Sequence, residues 1–181
     1  MRRSVCTRFN VPFEEIDSRH HLMFDSYERG YMKFEDYLRY VFFDKPRDFT
    51  LEAIREFTYK HSVPWPDNIK FFDSVRRANG LKFGLISNEG EGITGYRMNH
   101  FGLREVADFI VVSHCVHMRK PDKQIWQLAL DLAQATPSEC IYVDDREMFV
   151  KVAAEIGFTA LQHIDLASTL EKFRQLGLAI D

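Results

Sequence analysis

Short stretches of the chain pair residue types that handle phosphate and divalent cations. Ser87-Asn88 places a hydroxyl and an amide, both able to donate to an anionic oxygen, just after the apolar run Leu81 to Ile86. Glu89-Gly90-Glu91-Gly92 follows and leads into a helix whose N-terminus would favour a phosphate. Lys120, within Arg119-Lys120-Pro121-Asp122, supplies an ammonium that could neutralise a phosphate or a carboxylate nucleophile. Pro121 is placed to open the next helix. Asp144-Asp145 closes the apolar run Ile141-Tyr142-Val143, and adjacent carboxylates at the end of a buried strand are costly unless a cation or hydrogen bonds compensate. Mg²⁺ prefers one or two carboxylates plus water and phosphate oxygens, which makes this pair the sharpest chemical feature of the chain. Each stretch also has a plainer reading. Ser87 could be a turn residue and helix cap, Lys120 a solvated lysine, and Asp145 the cap of the following helix with Asp144 as its neighbour.

Such residues act together only if the fold brings them together. From residue 67 onward extended and helical runs alternate: Leu81 to Ile86, Phe109 to Val112, Ile141 to Val143 and Phe158 to Leu161 read as strands. Helical spacings around Ile69 to Val75, Ile93 to His100, Ile125 to Leu132, Met148 to Ile156 and Leu170 to Leu176 separate or flank them. That alternation predicts an α/β core of βαβ units around a parallel sheet over residues 67–181. Ligands of open parallel sheets bind beyond the carboxyl ends of the strands, which is where Ser87, Lys120 and Asp144 fall. Residues 1–62 read as a separate helical region, with Phe13, Ile16, His20, Met23 and Tyr27, and later Phe34, Tyr37, Leu38 and Val41, recurring at three and four. About half of the aromatics lie there, either packing a small helical bundle or gripping a substrate. Val63-Pro64-Trp65-Pro66 breaks the helical pattern between the regions.

A net charge of -3 without a basic run gives no footprint for nucleic acid or anionic lipid and points to a small-molecule partner. No stretch reaches the roughly 18 apolar residues of a membrane helix, and the first residues lack a signal-peptide core, so the expected location is the cytoplasm. Cys6, Cys115 and Cys140, an odd number at wide spacing, fit a reducing compartment. His114, Cys115 and His117 cluster, yet no second pair at zinc-ligand spacing accompanies them. Cys140 and Arg146 have the spacing of a cysteine phosphatase, but Ile-Tyr-Val-Asp-Asp between them is a strand and two acids instead of a glycine-rich anion cradle.

Taken in order, Ile86-Ser87-Asn88, Arg119-Lys120-Pro121-Asp122 and Val143-Asp144-Asp145 resemble motifs two, three and four of the haloacid dehalogenase superfamily. Phe24-Asp25-Ser26-Tyr27-Glu28-Arg29-Gly30, followed by Phe34-Glu35-Asp36-Tyr37, is similar to cap sequences of its phosphatase-like members. The resemblance implies a Rossmann-like parallel core with helices on both faces and a small all-helical cap. It implies that Ser87 binds the transferring phosphoryl group with Asn88 beside it, and that Lys120 steadies nucleophile and phosphate. It also implies that the aspartates hold Mg²⁺, chiefly through Asp145, so that Lys120, Asp144 and Asp145 form the catalytic set of a phosphatase of small phosphorylated metabolites.

The chain departs from that pattern at the first motif, an apolar strand ending in Asp-x-Asp that supplies the nucleophile and the general acid and base. No Asp-x-Asp triplet occurs in the 181 residues. Asp25 follows Leu22-Met23-Phe24 but lies within a helical pattern. Phe149 stands where related sequences commonly carry an asparagine. Lys120 and Mg²⁺ cannot supply the missing bond-forming atom, so the chain as written is expected not to turn over esters and to bind Mg²⁺ weakly. In the family the absent strand lies between those carrying Ser87 and Asp144. Either these strands close up, another segment fills the gap, or the recorded start is late; an exposed sheet flank would favour a homodimer. The readings that remain are a Mg²⁺-dependent phosphatase whose nucleophile is absent from this chain, and a catalytically inactive phosphate-binding or regulatory protein.

Overall fold

The computed structural model describes residues 2–180. Helices α1 (Arg2–Arg8), α2 (Phe13–Glu28), α3 (Phe34–Phe42) and α4 (Leu51–Lys60) come first. They are followed by α5 (Pro66–Asn79), β1 (Gly84–Ser87), α6 (Glu91–His100), α7 (Leu103–Val106) and β2 (Phe109–Val112). The one-turn α8 (Ser113–Val116), α9 (Lys123–Ala133), β3 (Ile141–Asp144), α10 (Glu147–Ile156), β4 (Thr159–Gln162) and α11 (Leu166–Gln175) complete the series. This is the predicted α/β class, with helical and extended runs where the periodicities place them. No helix of the described residues is long and apolar enough to cross a membrane.

The chain divides into two compact units, the first comprising the residues up to Pro64 with Asn88–Phe101 and Val112–His117. The three-and-four spacing of α2 to α4 turns Ile16, Val41 and Ile54 fully inward, at 0% exposure. Tyr27 and Tyr37 stack at 4.5 Å, Phe34 joins them, and the Tyr37 hydroxyl shares a 2.7 Å hydrogen bond with His20 Nδ1. Most aromatics of this region are therefore core, while Tyr31 and Tyr40 stay exposed. The turn after α2 needs glycine: Gly30 has φ +75°, and a Cβ there would lie 2.1 Å from the His114 carbonyl oxygen. Left-handed backbone and a clash with main chain add, so Gly30→Ala is expected to cost about 2 to 5 kcal/mol in denaturant unfolding. A loss below about 1 kcal/mol, within the spread of ordinary surface changes, would show that the turn rearranges instead.

The second unit comprises Trp65–Ser87, Gly102–Val111 and the residues from Met118 on. Pro66 opens α5, where its missing N–H costs nothing, and left-handed Gly80 closes it. β3 and β4 pair in parallel with Ile141 opposite Thr159 and Asp144 opposite Gln162. α10 packs on both of these strands, α11 on β4 and α9 on β1. Trp126, with no exposure, presents its ring edge-on to Tyr142 and Phe149.

Three details differ from expectation. The strands form two separate pairs, β1 with β2 and β3 with β4, instead of one sheet. Among the described residues β1 and β3 have neither closed up nor been bridged. β1 begins at Gly84, because Phe83 donates its N–H to the Asp108 carboxylate at 2.7 Å and leaves Leu81 and Lys82 in solvent. The loop after β2 starts as the helical turn α8, and α9 starts at Lys123, with Asp122 and not Pro121 at its boundary.

Candidate functional site

Alternation along β3 puts Tyr142 and Asp144 on the same face. Lys120 Nζ donates to Asp144 Oδ2 at 2.6 Å, and each side chain is only 8% exposed. The Tyr142 hydroxyl donates to the same oxygen at 2.7 Å, and the Arg146 backbone N–H donates to Oδ1 at 2.9 Å. Burial alone would push the Asp144 carboxyl up; the Lys120 ammonium, the Tyr142 hydroxyl and the Arg146 N–H more than offset it and hold the group below its ordinary range. Burial, and then the bond to the carboxylate, push the Tyr142 phenol up, so it stays a protonated donor. Tyr142→Phe removes a donor from a buried carboxylate and is expected to cost about 1.5 to 3 kcal/mol at neutral pH. Chemical denaturation reads it, and a cost under 0.5 kcal/mol on the order of a surface change would mean that water replaces the phenol.

Lys120 is flanked by rings as well as by charge. Its Nζ lies 5.0 Å from the centroid of Phe149 and 5.8 Å from that of Tyr142. Phe149, 3% exposed, thus offers a π face to the ammonium at the position where related sequences commonly carry an asparagine. The contacts of these two rings with Lys120 were not expected from the sequence. Tyr142 was legible in principle, because residues two apart on a strand share a face.

Asp145 is exposed, its carbonyl accepting from Gln162 Nε2 at 3.0 Å. It does not cap the next helix: Arg146 occupies the N-cap position without a side-chain cap. Its carboxylate stands beside a neighbour whose oxygens are already engaged. Ser87 is half-buried at the C-terminal end of β1, and Asn88, also half-buried, begins the segment that belongs to the first unit. The structure therefore brings Lys120 and Asp144 into direct contact and leaves Asp145 facing solvent.

No group of three His, Cys, Asp or Glu side chains placed to hold a metal occurs among the described residues. The donors suit a hard cation in kind, since Asp145 is an accessible carboxylate and Mg²⁺ takes much of its shell from water and phosphate. They are few, because Asp144 spends both oxygens within the protein. The remaining alternatives fare poorly. Asp25 lies in α2 and pairs with Arg29 four residues on, at 3.2 Å. Burial, and then Glu139, raise the Cys140 thiol, the reverse of what a cysteine nucleophile needs.

A parallel α/β core with a carboxylate pair and a lysine at strand ends defines a class, and comparison identifies it. Residues 15–162 match the model of haloacid dehalogenase-like hydrolases, and the chain belongs to that family. Over 175 residues it is 23% identical to flavin mononucleotide hydrolase 1 of Arabidopsis thaliana, covering 95% of this chain and 69% of that one. It is 31% identical over 71 residues to pyrimidine 5'-nucleotidase YjjG of Escherichia coli, covering 39% of this chain and 31% of that one. Two further relatives are matched over 13% and 35% of their length, so the chain spans well under two thirds of several relatives. Among solved structures, a family enzyme from Bacteroides thetaiotaomicron in complex with magnesium and inorganic phosphate superposes with TM-score 0.77 at 18% identity. That match covers 93% of this chain and 88% of the other and shows a shared fold.

Proposed function

We propose that this chain carries the phosphate- and cation-binding side of a phosphatase acting on small phosphorylated metabolites, and that its 181 residues do not themselves contain the nucleophile. The observation that carries the reading is the buried Lys120–Asp144 pair at the end of β3 with the Asp145 carboxylate exposed next to it. An ion pair this dry is an expensive way to hold a core together, and it makes chemical sense where a polyanion and its cation are to be met. The phosphohydrolase names of the flavin mononucleotide and nucleotide relatives support the same class.

In this account the Ser87 hydroxyl and the Asn88 amide donate to phosphoryl oxygens, and Lys120 neutralises their charge. Asp144 holds the Lys120 ammonium in one orientation through its 2.6 Å bond. Asp145 would hold Mg²⁺, which supplies charge neutralisation on the phosphoryl oxygens when bound. Protein donors are few, so the cation is expected to bind weakly alone and better with phosphate present. None of these groups attacks phosphorus. No Asp-x-Asp occurs among these 181 residues, and for them taken alone the second reading is a protein that binds phosphate without turnover.

Thermal unfolding in inorganic phosphate, with and without Mg²⁺, tests the binding half of this proposal. A ligand at about 100 times its Kd stabilises by about 2.7 kcal/mol, a shift of several degrees. Phosphate with Mg²⁺ together should raise the midpoint more than either alone, and Asp145→Asn should abolish the Mg²⁺ increment. No response to phosphate at tens of millimolar, or an Mg²⁺ increment untouched in Asp145→Asn, would contradict it.

A further inference from the structure

Tyr31 is an aromatic that the helical core does not use. The residue is 68% exposed, yet its ring is held flat against His117, with centroids 5.1 Å apart and planes 6° from parallel. His117 is held in turn. A carbonyl only accepts, so the 2.6 Å contact with the Arg29 carbonyl makes His117 Nδ1 the donor. Arg29 Nη1 returns a bond to the His117 carbonyl at 3.3 Å. Gly30, with no room for a Cβ against His114, lets these turns approach closely. The ring is thus preorganised with a face in water, an arrangement that orders a side chain without burying it.

Tyr31 borders a cleft of about 380 Å³ lined also by Gly30, Met32, Lys33, Glu91 and His114, all within the first unit. Lys33 and Glu91, both exposed, give the cleft a hydrogen-bond donor and an acceptor of opposite charge. Met32 adds a polarizable thioether that favours ring edges. One cation against one carboxylate leaves no net charge to select a simple anion or metal. A flat aromatic shelf with a donor and an acceptor beside it suits a planar ring that carries both on its edge.

We infer that this cleft binds a planar heteroaromatic ring of the nucleobase or flavin kind, stacked on Tyr31 with its polar edge toward Lys33 and Glu91. Riboflavin and uridine, neither bearing phosphate, are the probes, and ribose is the ring-free control. Riboflavin fluorescence quenching and uridine proton shifts are read on the full chain. Both rings should bind while ribose does not. Tyr31→Ala should weaken binding by about tenfold or more, the loss of one stacked ring, and Tyr31→Phe should keep it. No binding of either ring at millimolar concentration overturns the inference. So does quenching that survives Tyr31→Ala and disappears in Trp65→Ala, an aromatic exposed at 75%. Because the probes lack phosphate, their failure would leave the response to phosphate and Mg²⁺ untouched, and each result can fail without the other.

Discussion

Lys120→Met should destabilise the protein by about 3 to 5 kcal/mol at neutral pH, the cost of leaving a buried charge without its partner. Methionine keeps the length and most of the volume, so the loss reports charge and not a cavity. Asp144 retains the Tyr142 and Arg146 bonds but loses the ammonium that offsets its burial. The pH dependence has a definite sign. In the natural protein the folded-state carboxyl sits below its unfolded value, so it contributes stability above the ordinary carboxylate range near pH ~4 and loses it as pH falls through the lowered value. In Lys120→Met burial dominates and the carboxyl rises above its unfolded value, so acidification neutralises it and relieves the penalty. The gap between the two proteins should therefore narrow from pH 7 towards pH 4, measured by urea denaturation at each pH. Adding Asp144→Leu to Lys120→Met should recover much of the loss. A neutral-pH cost under about 1 kcal/mol would place the pair among solvated surface bridges.

Much of this fold was legible because period and punctuation agreed. Phe109 to Val112 is a strand residue for residue, and the break at Val63 to Pro66 ends where Pro66 starts α5. Glycine and proline fix boundaries through backbone chemistry that a single sequence carries. What stayed hidden depends on tertiary partners. Leu81 and Lys82 read as strand by hydropathy, yet Asp108 captures the Phe83 N–H and the ladder starts later. The division of the strands into two pairs is a pairing choice, and no single strand encodes it.

The site was legible in residue type and less so in arrangement. Ser87, Asn88, Lys120, Asp144 and Asp145 stood out as candidates by residue type near strand ends, and the structure brings Lys120 and Asp144 together. Which aspartate would be spent inside the protein was not legible, because Asp144 ends β3 while Asp145 lies in the bend after it, and the burial of each is a property of the fold. Asp144 turns in, to Lys120 and Tyr142, while Asp145 turns out. Tyr31 is the counterpart in the first unit: it belongs to the aromatic-rich region by composition, and its placement on His117 comes from contact with a residue 86 positions away in sequence.

The largest expected effect concerns turnover. On the proposed reading the chemistry runs through an aspartyl phosphate, and without an in-line carboxylate the remaining electrostatic groups would bind the ester and leave its bond intact. Removing a nucleophile from such a unit costs on the order of a millionfold in rate where it has been measured, because the surviving groups act only with it. An apolar strand ending in Asp-x-Asp placed ahead of the chain should therefore restore Mg²⁺-dependent hydrolysis by several orders of magnitude. Its alanine version at the first aspartate should not.

The most direct test is hydrolysis of an aryl phosphate by the purified 181-residue chain, with and without Mg²⁺, beside the Asp145→Asn variant. The expected result is no turnover above the uncatalysed rate in any arm, while phosphate with Mg²⁺ still raises the melting temperature of the parent chain. Hydrolysis that requires Mg²⁺ and is lost in Asp145→Asn would contradict the account, because it would place a working nucleophile among these residues.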